Sequence, residues 1–268
     1  MMTVEKQLLA SPRNHWYILT VTILVLVLFG WSLTAVNFAN MNQSGLQIAF
    51  NILKGIVNPD LDLLLNVSKQ SVLYLLLQTL AIAFLGTIVG AILSIPFAFL
   101  AASNIVPKPV AWLTRLLLIV IRTIPALVYG LMFIRVSGQG PFTGVLTIGI
   151  TSIGMLAKLY VDAIEELDTR VLESMTSIGC TTFEKIRYGI FPQLLSVFMS
   201  VTIYRFDMNM REASILGLVG AGGVGAPLIF AMNSYKWNQV GSLLIGLVVL
   251  ILLIELLSNK LRGKLIKG

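Results

Sequence analysis

Long blocks of apolar residues, separated by short polar or Gly/Pro breaks, dominate this chain, and six of them predict helices of the ~20 residues needed to cross a bilayer. The first runs from about Trp16 to Phe38, the second from about Val72 to Ala102 with Gly86, Gly90 and Pro96 inside it, and Pro107-Lys108-Pro109 ends that second block. The third covers about Val110 to Ile134, interrupted by Arg122 and Pro125. A Ser137-Gly138-Gln139-Gly140 turn separates it from the fourth, about Pro141 to Tyr160, where Pro141 suits a first helical position. The fifth begins near Ile190 and reaches about Tyr204, and the sixth covers about Val240 to Leu257.

Three stretches break this pattern. Between Asn40 and Gln70, Leu46, Ile48, Phe50, Ile52 and Leu53 are interleaved with Gln47, Asn51 and Lys54 ahead of an Asn58-Pro59-Asp60 break, which predicts an amphipathic interfacial element, with a disordered loop as its rival. Val161 to Tyr188 is crowded with Asp162, Glu165, Glu166, Asp168, Arg170, Glu173, Glu184, Lys185 and Arg187, too polar for hydrocarbon. Arg205 to Asn238 is mixed and glycine-rich, which suggests a re-entrant hairpin or broken helix, because irregular backbone at membrane depth needs protein or a water-filled cavity around it.

Composition agrees with the bilayer as solvent: 57% of the 268 residues are hydrophobic and 12% charged, about half the usual charged share of a soluble chain. The net charge of +7 is not gathered on one face as nucleic-acid binding would require. It sits between the spans, and with a cytoplasmic amino terminus twelve basic residues fall inside (Lys6, Arg13, Lys108, Arg115, Lys158, Arg170, Lys185, Arg187, Lys260, Arg262, Lys264, Lys267). Five fall outside (Lys54, Lys69, Arg135, Arg211, Lys236), so the positive-inside bias puts both termini and the Val161–Tyr188 stretch in the cytoplasm. The Trp16–Phe38 block is too long for a signal h-region and reads as a retained helix. The expected organisation is a cytoplasmic segment 1–15, a first span and interfacial element 16–71, a core of five spans 72–258 and a basic tail 259–268.

The chemistry-bearing inventory is small. Cys180 and His15 are the only residues of their types, so a disulfide within the chain and a Cys/His metal cluster are excluded, and no HExxH or GxxxxGK[ST] run occurs. The glycines Gly217, Gly220, Gly222, Gly223 and Gly225 lack the lysine and Ser/Thr of a nucleotide loop. An intramembrane enzyme is therefore disfavoured. An ion-coupled secondary transporter is disfavoured by the absence of an obvious internal repeat and by few embedded acids.

Glu173-Ser174-Met175-Thr176-Ser177-Ile178-Gly179, continuing through Phe183 to Phe191-Pro192, resembles the cytoplasmic loop of binding-protein-dependent importers, whose pattern is Glu-Ala-Ala, three residues, Gly, nine residues, Ile, one residue, Leu-Pro. Glu173, Gly179 and Pro192 fall in register. Ser174 and Met175 replace the alanines, Gly189 the isoleucine and Phe191 the leucine. Gln78-Thr79 through Thr87, Ile95-Pro96 through Asn104, and Arg122-Thr123-Ile124-Pro125 are similar to other permease segments. Tyr204-Arg205-Phe206-Asp207-Met208-Asn209-Met210-Arg211-Glu212-Ala213-Ser214, running into Leu216 to Gly225, resembles the phosphonate-permease branch of that superfamily.

The resemblance implies an all-α, six-span permease of a prokaryotic plasma membrane, paired with a second copy. It implies two cytoplasmic ATPase subunits, which hold the ATP and Mg, gripping a coupling helix between spans four and five, and an extracytoplasmic substrate-binding protein. The chain itself then carries no cofactor and does no covalent chemistry. Glu173, Ser174, Gly179, Phe183 and Pro192 become the expected ATPase contact. Arg122, Pro125, Tyr204, Arg205, Asn209, Arg211, Gly220, Gly222 and Gly223 become the expected pathway or gate, with Arg205 and Arg211 near the outer mouth. Arg122 also stands on its own physics: an arginine in mid-span costs about 2.5–3.5 kcal/mol on insertion scales and is expected to face a cavity or partner. Pairing with a carboxylate or helix end is the plainer role for Arg122. For Arg205 and Arg211 it is pairing with Asp207 and Glu212. Glu255 stands alone in the last span and is expected to snorkel at the inner interface or to pair internally, rather than to serve transport chemistry.

Overall fold

The computed structural model describes residues 15–35, 43–65 and 71–267, and among these every regular element is helical. Lys6, Arg13, Lys69 and most of the expected cytoplasmic amino-terminal segment lie outside the described residues. The chain divides into two compact units, Met1–Phe50 and Asn51–Gly268.

In the first unit, α1 (His15–Ala35) is apolar around its whole circumference. Thr20 and Thr22 turn their hydroxyls back to the carbonyls of Trp16 and Ile18, at 2.6 and 2.8 Å, so neither presents a free polar group to hydrocarbon. The amphipathic stretch forms α2 (Gln43–Val57), which begins in this unit and ends in the second; it is a helix, not a loop.

In the second unit Asn58-Pro59-Asp60 breaks the chain ahead of α3 (Leu61–Leu65), and Asp60 is tied to the last helix by its N–H to Asn238 O and by Ser242 Oγ donating to its carbonyl at 3.0 Å. The core therefore takes in residues ahead of 72. It continues with α4 (Val72–Ala101), α5 (Lys108–Thr123), α6 (Ala126–Ser137), α7 (Pro141–Glu165), α8 (Thr169–Ser177), α9 (Thr182–Leu218, with a π-turn at Lys185–Ile190), α10 (Gly225–Asn233) and α11 (Trp237–Lys267). Among the described residues α1, α4, α7, α9 and α11 are long and apolar enough to span a membrane, and α5–α6 makes a sixth span only as a broken one.

The third span, expected to be interrupted at Arg122 and Pro125, is broken there, with α5 and α6 meeting at 85°, and two expected span ends are corrected. Pro125 cannot donate a helical hydrogen bond, and it pushes Ile124 into extended backbone (φ −84°, ψ 122°). The fifth span does not stop at Tyr204 but runs to Leu218, leaving residues 219–224 irregular at the glycine turn and 234–236 at a second, short one. Its polar residues are compatible with a helix because they neutralise one another, Arg205 with Glu212 and Arg211 with Asp207. The fourth span likewise continues past Tyr160 to Glu165.

Without a hydrophobic drive between helices in lipid, close packing needs small residues at the contact. α4 and α7 meet on such a seam: a Cβ on Gly90 would lie 2.6 Å from Ser152 Cβ and 2.9 Å from Gly149 O, and one on Gly86 would lie 2.7 Å from Ile148 Cβ. Ile82, Ala83, Ile148, Met210, Ala213 and Leu216 close the core between α4, α7 and α9. Ala98, Leu156, Ala157, Tyr160, Ile190 and Phe198 do so towards the end that carries α8.

Candidate functional site

Halfway along α4 and α7, where the latter part of α9 crosses them, the apolar core gives way to a polar cluster. Asn209 is fully buried (0% exposed), and its amide donates to Thr87 Oγ1 at 2.8 Å and Ser152 Oγ at 2.9 Å. Arg205, one helical turn away on α9, is 4% exposed and donates from Nε to Ser152 Oγ (3.3 Å), from Nη1 to Met155 Sδ (3.3 Å) and from Nη2 to Glu212 Oε2 (3.0 Å). Buried charge persists only when compensated, and Glu212, two turns along the same face, supplies the compensation. Asn209 thus pins α9 to both walls of the seam while Arg205 faces the other side of α7.

That other side is a cleft of about 240 Å³ lined by Arg122, Ile124, Pro125, Thr151, Met155, Arg205 and Glu212. The broken span makes it: the turn at Ile124-Pro125 swings α6 away from the line of α5 and leaves Arg122, in the last turn of α5, at the opening. The Arg122 stem lies over Gly154, where a Cβ would meet its Cγ, and its guanidinium has no ion-pair partner among the described residues. Arg122 is exposed on the flank of the single chain, at the mouth of this cleft. A second cleft of about 260 Å³ continues from Arg122 towards the α8 end, past Arg115, Lys158, Asp162 and Glu165. There Arg115 is neutralised by Glu165, which also accepts from the N–H and hydroxyl of Ser103, and Lys158 pairs with Asp162 at 3.3 Å.

The other expected pathway residues are not at this cleft. Tyr204 is stacked under the Arg262 guanidinium, 5.4 Å from its ring centre. Arg211 bridges Asp207 (3.1 Å) and Glu255 (3.4 Å), tying α9 to α11, so of its two expected roles Glu255 takes internal pairing. Arg205 sits level with the midpoint of α7 rather than at a mouth. At the far end of α9 the turn at Gly220, Gly222 and Gly223 has φ of 95°, 85° and 79°, which L-residues rarely adopt. Two of its amides are taken up by side chains of α4: Gly223 N–H donates to Gln78 Oε1 and Val224 N–H to Thr79 Oγ1, each at 3.0 Å. The turn is seated on α4 and on Pro141.

At the opposite end of the bundle, α8 and the start of α9 form a hairpin in which every bend has a local cause. Asp168 caps α8 through Arg170 N–H at 3.0 Å. Gly179 ends it with φ 88°, and since a Cβ there would meet nothing, glycine is required by backbone conformation alone. Thr181 and Glu184 form a reciprocal capping box, and the Thr181 N–H followed by its hydroxyl holds the Glu184 carboxyl below the ordinary glutamate range. Gly189 packs against Met175 within the π-turn, and Pro192 opens the regular α-helical stretch of α9 that follows it. Glu173, Ser174 and Gly179 are exposed, and Glu173 lines a cleft of about 240 Å³ with Asn104, Ile105 and Lys185. The sequence alone gave no prominence to Ile178 and Tyr188, which with Phe183 stand 81%, 64% and 68% exposed on this polar hairpin. Thr151, Ser152 and Met155 were also missed at the central site; their only signal was small or soft polarity in mid-span.

Known proteins are consistent with this geometry. Residues 94–265 match the family described as binding-protein-dependent transport system inner membrane component. The phosphite transport system permease protein PtxC of Stutzerimonas stutzeri is 33% identical over 70% of this chain and 68% of its own length. The phosphate-import permease protein PhnE of Mycolicibacterium smegmatis is 37% identical over 70% of this chain, which spans only 36% of that longer relative. The fold matches the inward-facing MetNI methionine ABC transporter with a TM-score of 0.63 at 19% identity, covering 72% of this chain and 95% of that one. Since that family match takes in well over half of its residues, the chain belongs to the family of binding-protein-dependent transport system inner membrane components.

Proposed function

We propose that this chain is the permease subunit of an ATP-driven importer for phosphonate or a related small phosphorus oxyanion, working as a pair of identical copies. The observation that carries the reading is Arg122: an unpaired guanidinium at the junction of two clefts that together run from the middle of the bundle to the α8 end. A cation left uncompensated in a spanning segment is costly unless the cavity it faces admits water or anions. Its place on the flank of the single chain suits a path completed by the second copy. The relatives named for phosphite and phosphate import support the substrate class.

The hairpin supports the energy source. Ile178, Phe183 and Tyr188 are large apolar side chains exposed beside Glu173 and Ser174, the kind of small protruding patch a partner groove covers. In this reading a separate ATPase, holding ATP and Mg, closes on the hairpin from the cytoplasm and pulls α9 through the π-turn. A binding protein delivers the solute at the glycine-turn end, and each partner shifts the path by contacting its two states differently. Vesicles carrying permease, ATPase and binding protein are expected to take up radiolabelled methylphosphonate in an ATP-dependent, vanadate-sensitive manner. Uptake driven by an ion gradient without ATP would overturn the proposal, as would tight binding of a neutral or cationic solute by the partner binding protein.

A further inference from the structure

The cleft between α5 and α9 holds two guanidiniums and one carboxylate. Arg205, the buried one, is under-satisfied on the side that faces the cleft: Nη1 has only the weak acceptor Met155 Sδ and Nη2 only one oxygen of Glu212. That fork is not bidentate, although bidentate capture of tetrahedral oxyanions is what a guanidinium does best. Glu212 is held at one oxygen, and its side chain is 28% exposed, so it has room to leave. It cannot leave alone, because removing one member of a buried pair strands the other's charge. Arg122 faces the same cleft without any carboxylate of its own.

We propose that Glu212 is a displaceable counter-ion, the protein's own substitute for the cargo. A phosphorus oxyanion in transit replaces it on Arg205, is held from the other wall by Arg122, and is expelled when Glu212 returns. The inference rests on the importer reading above and adds to it a selectivity step in the permease itself. A neutral solute offers Arg205 nothing in exchange for Glu212, so only an anion opens the pair. The returning carboxylate also keeps the site from becoming a trap, since two arginines without a competitor would hold a dianion too long for transport.

The test uses the complete complex in proteoliposomes with radiolabelled methylphosphonate as the probe. Glu212→Gln keeps the shape and removes the competitor: retained label is expected to rise and the ATP-driven uptake rate to fall, each by about tenfold or more, the equivalent of one charge-assisted hydrogen bond. Adding Arg122→Ala to that variant is expected to abolish the retention. The paired change Arg205→Met with Glu212→Met leaves no stranded charge, so it is expected to insert and melt normally yet retain no label. Glu212→Asp, with a shorter reach to Arg205, is expected to move both readings in the direction of Glu212→Gln by a smaller factor, which keeps the test open should the glutamine variant misassemble. Wild-type retention and uptake in Glu212→Gln, or retention indifferent to Arg122, would overturn the inference while leaving the importer reading intact. Absence of ATP-driven uptake of methylphosphonate, phosphite and phosphate by the wild-type complex would remove both.

Discussion

The α8–Gly179–α9 hairpin and the Arg205–Asn209 cluster are both polar features of an apolar protein, but they are built in opposite ways. The hairpin is held by contacts between near neighbours: Asp168 on Arg170, Thr181 on Glu184, Gly179 on Thr176 O. The cluster is held by contacts across the fold, Asn209 to Thr87 and to Ser152, Arg205 to Met155. A locally folded hairpin can present an exposed apolar patch and be pushed as one piece. A long-range cluster registers the relative positions of three spans, so it is the place where sliding helices would be felt.

The contrast can be broken from either side. The largest effect is expected at Gly179: Gly179→Val forces a β-branched residue to φ 88°, distorting the hairpin without touching the core, so the protein still inserts while uptake-coupled ATP hydrolysis is abolished. Undiminished coupling in an ATPase assay with partners would mean that the hairpin is not the handle. Next comes Arg205→Met, which strands Glu212 and is expected to destabilise the bundle by about 3 kcal/mol, the low end for a broken buried pair because Glu212 is partly exposed. Thermal unfolding in detergent checks this, and Glu212→Met added to it should restore most of the loss.

Gly90→Val is expected to cost about 1–3 kcal/mol by overpacking the α4–α7 seam against Ser152 and Gly149 O, read as a lower Tm. Arg122→Ala should lower uptake about tenfold, the worth of one charge-assisted hydrogen bond, with little change in Tm, whereas Arg135→Ala should change neither. Equal effects of the two would separate Arg122 from the pathway. The smallest effect lies in the capping box. Because the folded state lowers the Glu184 carboxyl, its contribution is present above the ordinary glutamate value and fades as pH falls through the lowered one. Amide protection at Thr181 and Glu184, taken relative to intrinsic exchange at each pH, is expected to fall in that acid window, and Glu184→Gln is expected to remove that fall.

Apolar block length and the positions of Pro and Gly determined by themselves that this chain spans a membrane, where its helices break and where the hairpin turns. Those are consequences of solvent and of backbone conformation, which neighbouring residues decide. Glu173, Gly179 and Pro192 stood out instead through the resemblance of their spacing to the importer loop. Whether Arg205 and Arg211 are gate or brace was not legible, nor where the fifth span ends. In both cases the outcome depends on which partner sits opposite: Glu212, Ser152 and Met155 for Arg205, and Asp207 and Glu255 for Arg211. Only the tertiary structure could bring residue 87 to 209, or 122 to 205, since the charge of a buried side chain is made tolerable by groups that sequence distance does not reveal.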